Sequence, residues 1–186
     1  MGSLIAGYPL PILATQIIWL NFVTDGFLDV SLAMEPKEKG LLQEKPRGEN
    51  LIDWAMAFRM ILMSIPMMLG TLFLFKYYYP FGIIKAWTVT LTTLSVFQWF
   101  NAWNCRHEKK SIFGLSPFSN TYLIAATMLV IALQLFAVYA PIMQKLLKTT
   151  ALSASDWMLI IVVSSSIILI EEGRKFIAYI YRTIAK

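Results

Sequence analysis

Residues 21–30, NFVTDGFLDV, place an amide, a hydroxyl and two carboxylates inside an otherwise apolar run. Asn21, Thr24, Asp25 and Asp29 fall at i, i+3, i+4 and i+8, positions that lie close to one face of a helix. Over roughly two turns, ~12 Å of rise, such a face stacks oxygen ligands and nothing else. A charged side chain at bilayer depth costs roughly 2.5–3.5 kcal/mol on insertion scales, so these acids need something to hold them. A hard cation such as Ca2+ answers that need, because it takes about six to eight oxygens. One helix offers three or four of them, and neighbouring helices and water must supply the rest. Gly26 follows Asp25 directly; at this depth it loosens the helix and can free backbone carbonyls as ligands. The helix is therefore expected to be locally unwound near Asp25–Gly26. A polar cluster that only glues the bundle together would explain Asn21 and Thr24 alone; adding Asp25 and Gly26 favours a cation site.

A second polar set lies further on. Thr88, Thr90, Thr92, Thr93, Ser95, Gln98, Asn101 and Asn104 punctuate one apolar segment, and Gln98, Asn101 and Asn104–Cys105 share a stripe. Their amide oxygens suit a cation, and bundle hydrogen bonds explain the stripe equally well; Asp29, Gln98 and Asn101 are secondary candidates. Met56, Met60, Met63, Met67 and Met68 suggest soft copper ligation, but nothing pairs them with Cys or His, and packing accounts for them. Cys105 with His107 makes no metal site alone. Glu171–Glu172 beside Arg174–Lys175 reads as an interfacial charge cluster rather than a proton relay.

The elements that must position these groups are membrane spans. Of the 186 residues, 58% are hydrophobic, and the mean hydropathy is +0.62; a soluble domain has nearer ~45–50% apolar residues. A spanning helix needs about 20 mostly apolar residues. Five segments qualify, 10–33, 55–75, 86–105, 121–140 and 157–178, with Pro66 a predicted kink in the second and the fifth leaning into the interface. The expectation is an all-α membrane protein, a bundle of five transmembrane helices forming one domain over residues 1–186.

The net charge of +5 does not indicate nucleic acid, because the basic residues sit in connections rather than on a face. Lys37, Lys39, Lys45, Arg47, Arg59, Arg106, Lys109, Lys110, Arg174, Lys175, Arg182 and Lys186 fall on one side, and Lys76, Lys85, Lys145 and Lys148 on the other. Twelve against four predicts a cytoplasmic C-terminus and an extracytoplasmic or luminal N-terminus. One cysteine excludes an internal disulfide. No basic region precedes the first apolar run, which argues against a secretory signal peptide. The opening MGSLIAGYPLP reads like a piece of loop, and predicts that the chain is the C-terminal portion of something larger.

ATP chemistry has no seat here. There is no Walker-type Gly-rich loop and no Asp-Lys-Thr-Gly phosphorylation sequence. The longest connection, residues 35–54, cannot fold into a nucleotide-binding domain, so no catalytic residue is assigned.

PLPILATQIIWLNFVTDGFLDVSLAMEPKEKGLL resembles the sixth transmembrane helix and following cytosolic loop of P-type cation-transporting ATPases, with the Ca2+-pump branch the nearest. FQWFNAWNCRHEKKSIF, residues 97–113, is similar to the eighth helix and its cytosolic exit, and LSASDWMLI with EEGRKFIAYIYR to the tenth helix and tail. The resemblance implies helices six to ten of a ten-helix pump, with Asn21, Thr24 and Asp25 as cation ligands and the remaining ligands on helices outside this chain. It implies as partners the lipid bilayer, the other transmembrane helices and the cytosolic ATPase domains, with ATP and Mg2+ used only by the parent pump. The loop over residues 35–54 would face the phosphorylation domain and help couple ATP use to transport. Two departures bear on the ion. Gln98 stands where reticulum-type pumps carry a carboxylate, which suggests one ion per cycle or a different one. Leu28 replaces the family's proline, followed by Asp29, an acid outside the usual set. Ca2+ is favoured, with Mn2+, Na+ or H+ as alternatives. The rival reading is a stand-alone structural or regulatory membrane protein that associates with a pump.

Overall fold

The computed structural model describes residues 7–36, 54–108 and 110–184. Among them every regular element is helical. The expectations placed on Lys37, Lys39, Lys45, Arg47, Lys109 and Lys186, and on most of the connection at 35–54, lie outside the described residues. The segment expected as the first span is built from α1 (Ala14–Trp19), a π-helical stretch (Leu20–Asp25) and α2 (Gly26–Ala33). Then follow α3 (Trp54–Tyr78), α4 (Ile83–Cys105), α5 (Thr121–Tyr139), a short α6 (Pro141–Leu147) and α7 (Ala154–Ile184).

Local chemistry explains the boundaries. Gly82, at φ +113°, turns the chain between α3 and α4, a conformation that favours glycine. The Asn120 side chain accepts the Leu123 N–H at 2.9 Å and so caps the start of α5. Pro141 opens α6, where its missing N–H costs nothing, and Lys148 closes it in the left-handed conformation. α6 was not anticipated, because seven residues within a connection carry too little periodicity to stand out.

Among the described residues, three helical stretches are long and apolar enough to cross a membrane: Met56–Phe81, Thr121–Tyr139 and Ala154–Tyr181. Of the five expected spans, that set omits two. α4 has the length, 23 residues, but its threonines, Gln98, Asn101 and Asn104 dilute its apolar character. The first span is divided into three pieces by its π stretch. α7 is 31 residues long rather than a marginal span, and two of its mid-helix serines find partners: Ser164 Oγ donates to Thr93 O at 3.4 Å and Ser165 Oγ to Val162 O at 2.8 Å. Pro66 lies within α3 without ending it.

α4 is the axle of the bundle. It contacts α3, α7, α5, α2 and the π stretch, and Val89, Leu91, Thr92, Thr93 and Phe97 are wholly enclosed. A helix buried on all sides needs no polar face, so its polar groups must find partners inside. Where α3, α4 and α7 meet, Gly70 lets them approach closely: a Cβ there would stand 2.9 Å from Phe97 Cζ and from Val163 Cγ1. Phe97 is fully buried and cannot yield. Gly70→Ala is expected to destabilise the bundle by about 1–3 kcal/mol through overpacking, read as a lowered thermal midpoint in detergent. Among the methionines, Met63 packs with Phe97 and Ile167, as the packing reading required.

The two ends of α4 differ in character. At its N-terminal end, Lys85 pairs with Asp156 at 2.9 Å, and Asp156 also accepts from Tyr78 Oη and Ser153 N, each at 2.8 Å. At the other end gather Arg59, Arg106, Glu171, Arg174 and Lys175.

Candidate cation site

The π stretch is where the polar decade begins. Gly26 N–H donates to Asn21 O, five residues back, the bond that defines a π turn. The expected unwinding near Asp25–Gly26 is therefore corrected: Gly26 has ordinary helical dihedrals, φ −55° and ψ −49°, and the chain widens before it instead of breaking at it. A Cβ on Gly26 would meet nothing closer than Asn21 O at 3.6 Å, so no close approach requires the glycine. Widening achieves part of what unwinding would: π turns carry an extra residue per turn, shift the side chains that follow to a new face, and recur at functional sites.

The four candidates do not share one environment. Thr24 is buried at 2% exposure, together with Leu20, Leu28 and Ser31, on the inward face. Asp25 is half-buried, and Asn21 and Asp29 are exposed. Thr24 thus faces the interior of the described bundle, and Asn21 and Asp29 lie on surface that the described residues leave uncovered. The buried residues Leu20, Thr24, Leu28 and Ser31 form one helical stripe, and Asn21, Asp25 and Asp29 form the stripe beside it, which turns outward.

Opposite lies α4, against which both the π stretch and α2 pack. Its Gln98 Oε1 and Asn101 Oδ1 are buried and have no hydrogen-bond partner among the described residues. Buried oxygens without a donor are costly, on the order of 1–3 kcal/mol each. They are also what a cation or an ordered water needs. Asn104, the third member of the stripe, differs: its Nδ2 donates to Ile167 O at 3.3 Å, tying α4 to α7, although its Oδ1 is also unpartnered. The stripe divides accordingly, with a bundle contact at its end and free acceptors further in.

Among the described residues, no group of three or more His, Cys, Asp or Glu could hold a metal ion. Any cation at Asp25 would rest on one carboxylate together with amide, hydroxyl and carbonyl oxygens, a donor set fitted to hard ions rather than to Zn2+ or copper.

Several buried polar residues escaped the sequence reading. Gln134, 1% exposed, accepts from Trp19 Nε1 at 3.3 Å and Ser95 Oγ at 3.2 Å, and donates to Thr92 Oγ1 at 3.1 Å, joining α1, α4 and α5. Gln16, fully buried, donates to Leu147 O at 2.9 Å and accepts from Leu13 N at 3.1 Å. A lone amide in the apolar segment 121–140 was the available sign of the first. Glu171 proves more enclosed than an interfacial cluster would be. It has no exposure, lies 2.9 Å from Arg59 and 2.8 Å from Arg174, and Lys175 stands 4.0 Å away.

Residues 9–177 match the family described as "Cation transporting ATPase, C-terminus". The chain belongs to this family, the C-terminal region of the P-type cation-transporting ATPases. The resemblance drawn from NFVTDG and the two later segments is thereby established. Relatives in this family include the calcium-transporting ATPase of Bacillus subtilis, 32% identical over 88% of this chain and 19% of its own length. Calcium-transporting ATPase 1 of Saccharomyces cerevisiae is 33% identical over 90% of this chain and 18% of its own. Calcium-transporting ATPase type 2C member 2 of Mus musculus is 31% identical over 91% of this chain and 18% of its own. The chain thus spans about a fifth of the length of these ATPases. Membership of this ATPase family and three apolar helices make it an integral membrane protein.

Proposed function

We propose that this chain, residues 1–186 as one domain, is the C-terminal transport segment of an ATP-driven cation pump, and that it contributes part of the pump's ion site. The observation that carries this reading is the juxtaposition of the π-widened turn bearing Thr24 and Asp25 with the α4 helix bearing the unpartnered oxygens of Gln98 and Asn101. Asn21, Thr24 and Asp25 are the primary ligands. Asp29, Gln98 and Asn101 are secondary. The uncovered face at Asn21 and Asp29 is where the pump's remaining helices complete the shell, and the surrounding surface faces lipid.

In this reading the first span and α4 also cross the membrane, giving five spans. The end of α4 with Arg59, Arg106, Arg174 and Lys175 lies in the cytoplasm, as basic residues favour that side. The C-terminus is then cytoplasmic and the N-terminus extracytoplasmic or luminal. ATP and Mg2+ act on cytosolic domains of the parent pump. Phosphorylation there would move the bundle between two states, and Asp25 would bind the ion more tightly in one of them; that differential affinity is what converts ATP energy into movement. Ca2+ is favoured, since the relatives named above are calcium-transporting ATPases.

The test is an ion screen of ATP-dependent phosphorylation in the complete pump that carries this segment. Ca2+ is expected to support phosphorylation at a lower concentration than Mn2+ or Na+, with pH changes alone insufficient. Phosphorylation indifferent to every added cation would overturn the reading.

A further inference from the structure

The two helices that carry the candidate ligands end at the same place. Glu35 lies two residues past the end of α2 and ten beyond Asp25, and Arg106 caps the end of α4, five residues beyond Asn101. These two residues form an ion pair. Arg106 Nη2 donates to Glu35 Oε1 at 2.8 Å, and Nε lies 3.2 Å from both carboxylate oxygens. The Arg106 side chain is 1% exposed and the Glu35 side chain 24%. The remaining guanidinium donors reach Ser116 O at 3.2 Å and Ser119 Oγ, and the group lies over the Trp103 ring at 5.4 Å. Asn120 completes the knot: its Nδ2 donates to Glu35 Oε2 at 2.7 Å and to Ser31 O at 3.0 Å. Burial raises the cost of ionising Glu35, yet the hydrogen bonds from Arg106 and Asn120 and the nearby charges of Arg106 and His107 hold its carboxyl below the usual range.

A buried ion pair of this kind adds little net stability compared with a well-packed apolar substitute; its best-attested use is to fix register. From the node, α2 leads back to the π stretch and Asp25 within ten residues, and α4 leads back to Asn101 within five, so a displacement at Glu35 or Arg106 reaches the ligand positions through about three turns of helix or fewer.

We propose that Arg106 and Glu35 are positioning residues for the cation site, setting the register of the helix that carries Thr24 and Asp25 against the helix that carries Gln98 and Asn101. The inference rests on the reading of Asp25 as a cation ligand. It predicts a change in ion affinity from substitutions that touch no ligand.

The test is a Ca2+ titration of ATP-dependent phosphorylation in the complete pump, for the wild type, Glu35→Gln, Arg106→Lys, Arg106→Gln and the double variant Glu35→Gln/Arg106→Gln, with Asp25→Asn alongside. Each is normalised to monodisperse protein. Glu35→Gln and Arg106→Gln are expected to raise the half-saturating Ca2+ concentration about 5- to 50-fold, with the maximal phosphorylation level kept. Arg106→Lys should fall between them and the wild type. The double variant should be no worse than the worse single, because one interaction is lost in each case. Should Arg106→Gln fail to fold, Glu35→Gln, which keeps the shape and an acceptor oxygen, carries the test alone. Wild-type titrations in the folded variants, with Asp25→Asn inactive, overturn this inference and leave the cation site standing. Normal ion dependence in Asp25→Asn overturns both.

Discussion

Asp25→Asn in the complete pump is expected to abolish cation-dependent phosphorylation from ATP, while Gln98→Ala lowers apparent ion affinity far less. The difference follows from charge. Asp25 is the one carboxylate of the primary ligand set, half-buried at the widened turn. Asparagine keeps the shape and an acceptor oxygen but not the charge that offsets a divalent ion's desolvation. Removing one member of a buried charge pair costs about 2–5 kcal/mol, at least about thirtyfold in binding. Gln98 offers a neutral oxygen, and its loss removes one dipole from a shell that water can refill. A phosphorylation assay titrated with Ca2+ separates the two: no ion response for Asp25→Asn, and a shifted but complete curve for Gln98→Ala. Equal effects from both would mean that charge at Asp25 is not what holds the ion.

The second large effect concerns folding. Glu171→Ala is expected to cost about 3–5 kcal/mol, because Arg59, Arg174 and Lys175 would be left facing one another around a buried void. Arg59 belongs to α3, and its Nη2 also donates to Asn104 O of α4 at 3.2 Å; Lys175 Nζ reaches the same carbonyl at 3.4 Å. Glu171 therefore holds three helices through cations that would otherwise repel. Glu171→Gln should recover part of the loss by keeping the volume and one acceptor. The check is the thermal midpoint of the purified chain in lipid nanodiscs, expected to fall for both variants and further for alanine. Midpoints within a degree of the wild type would show that the cluster contributes nothing to stability.

What could be read from the sequence was composition-borne. Asp25 stood out because a carboxylate inside an apolar run has few explanations, and α5 was predictable to within a residue because its 19 residues carry no charge. The first span's exact geometry was not accessible. Gly26 drew attention, but the π turn lies before it, at Leu20–Asp25, where Asn21, Val23, Thr24 and Asp25 are weak helix formers but nothing in their types specifies a π turn rather than an α turn. The buried knots were hidden for another reason: their partners are distant. Trp19 meets Gln134 across 115 positions, and Arg106 meets Glu35 across 71. Arg106 was counted among the basic residues of a connection, whereas the structure buries it. Charge counting assigns such residues to a side of the membrane and says nothing of what they grip. Gln98, Asn101 and Asn104 formed one stripe by spacing, and only the contact of Asn104 with Ile167 separates a structural amide from acceptors left free.

The most direct measurement is anomalous diffraction from crystals of the complete pump grown with Ca2+. A Ca2+ peak about 2.3–2.6 Å from an Asp25 carboxylate oxygen, with Thr24 and Asn21 oxygens in the same shell, is the predicted result. A pump loaded with Ca2+ elsewhere, its Asp25 turned to lipid or bound to a lysine or arginine, would contradict it.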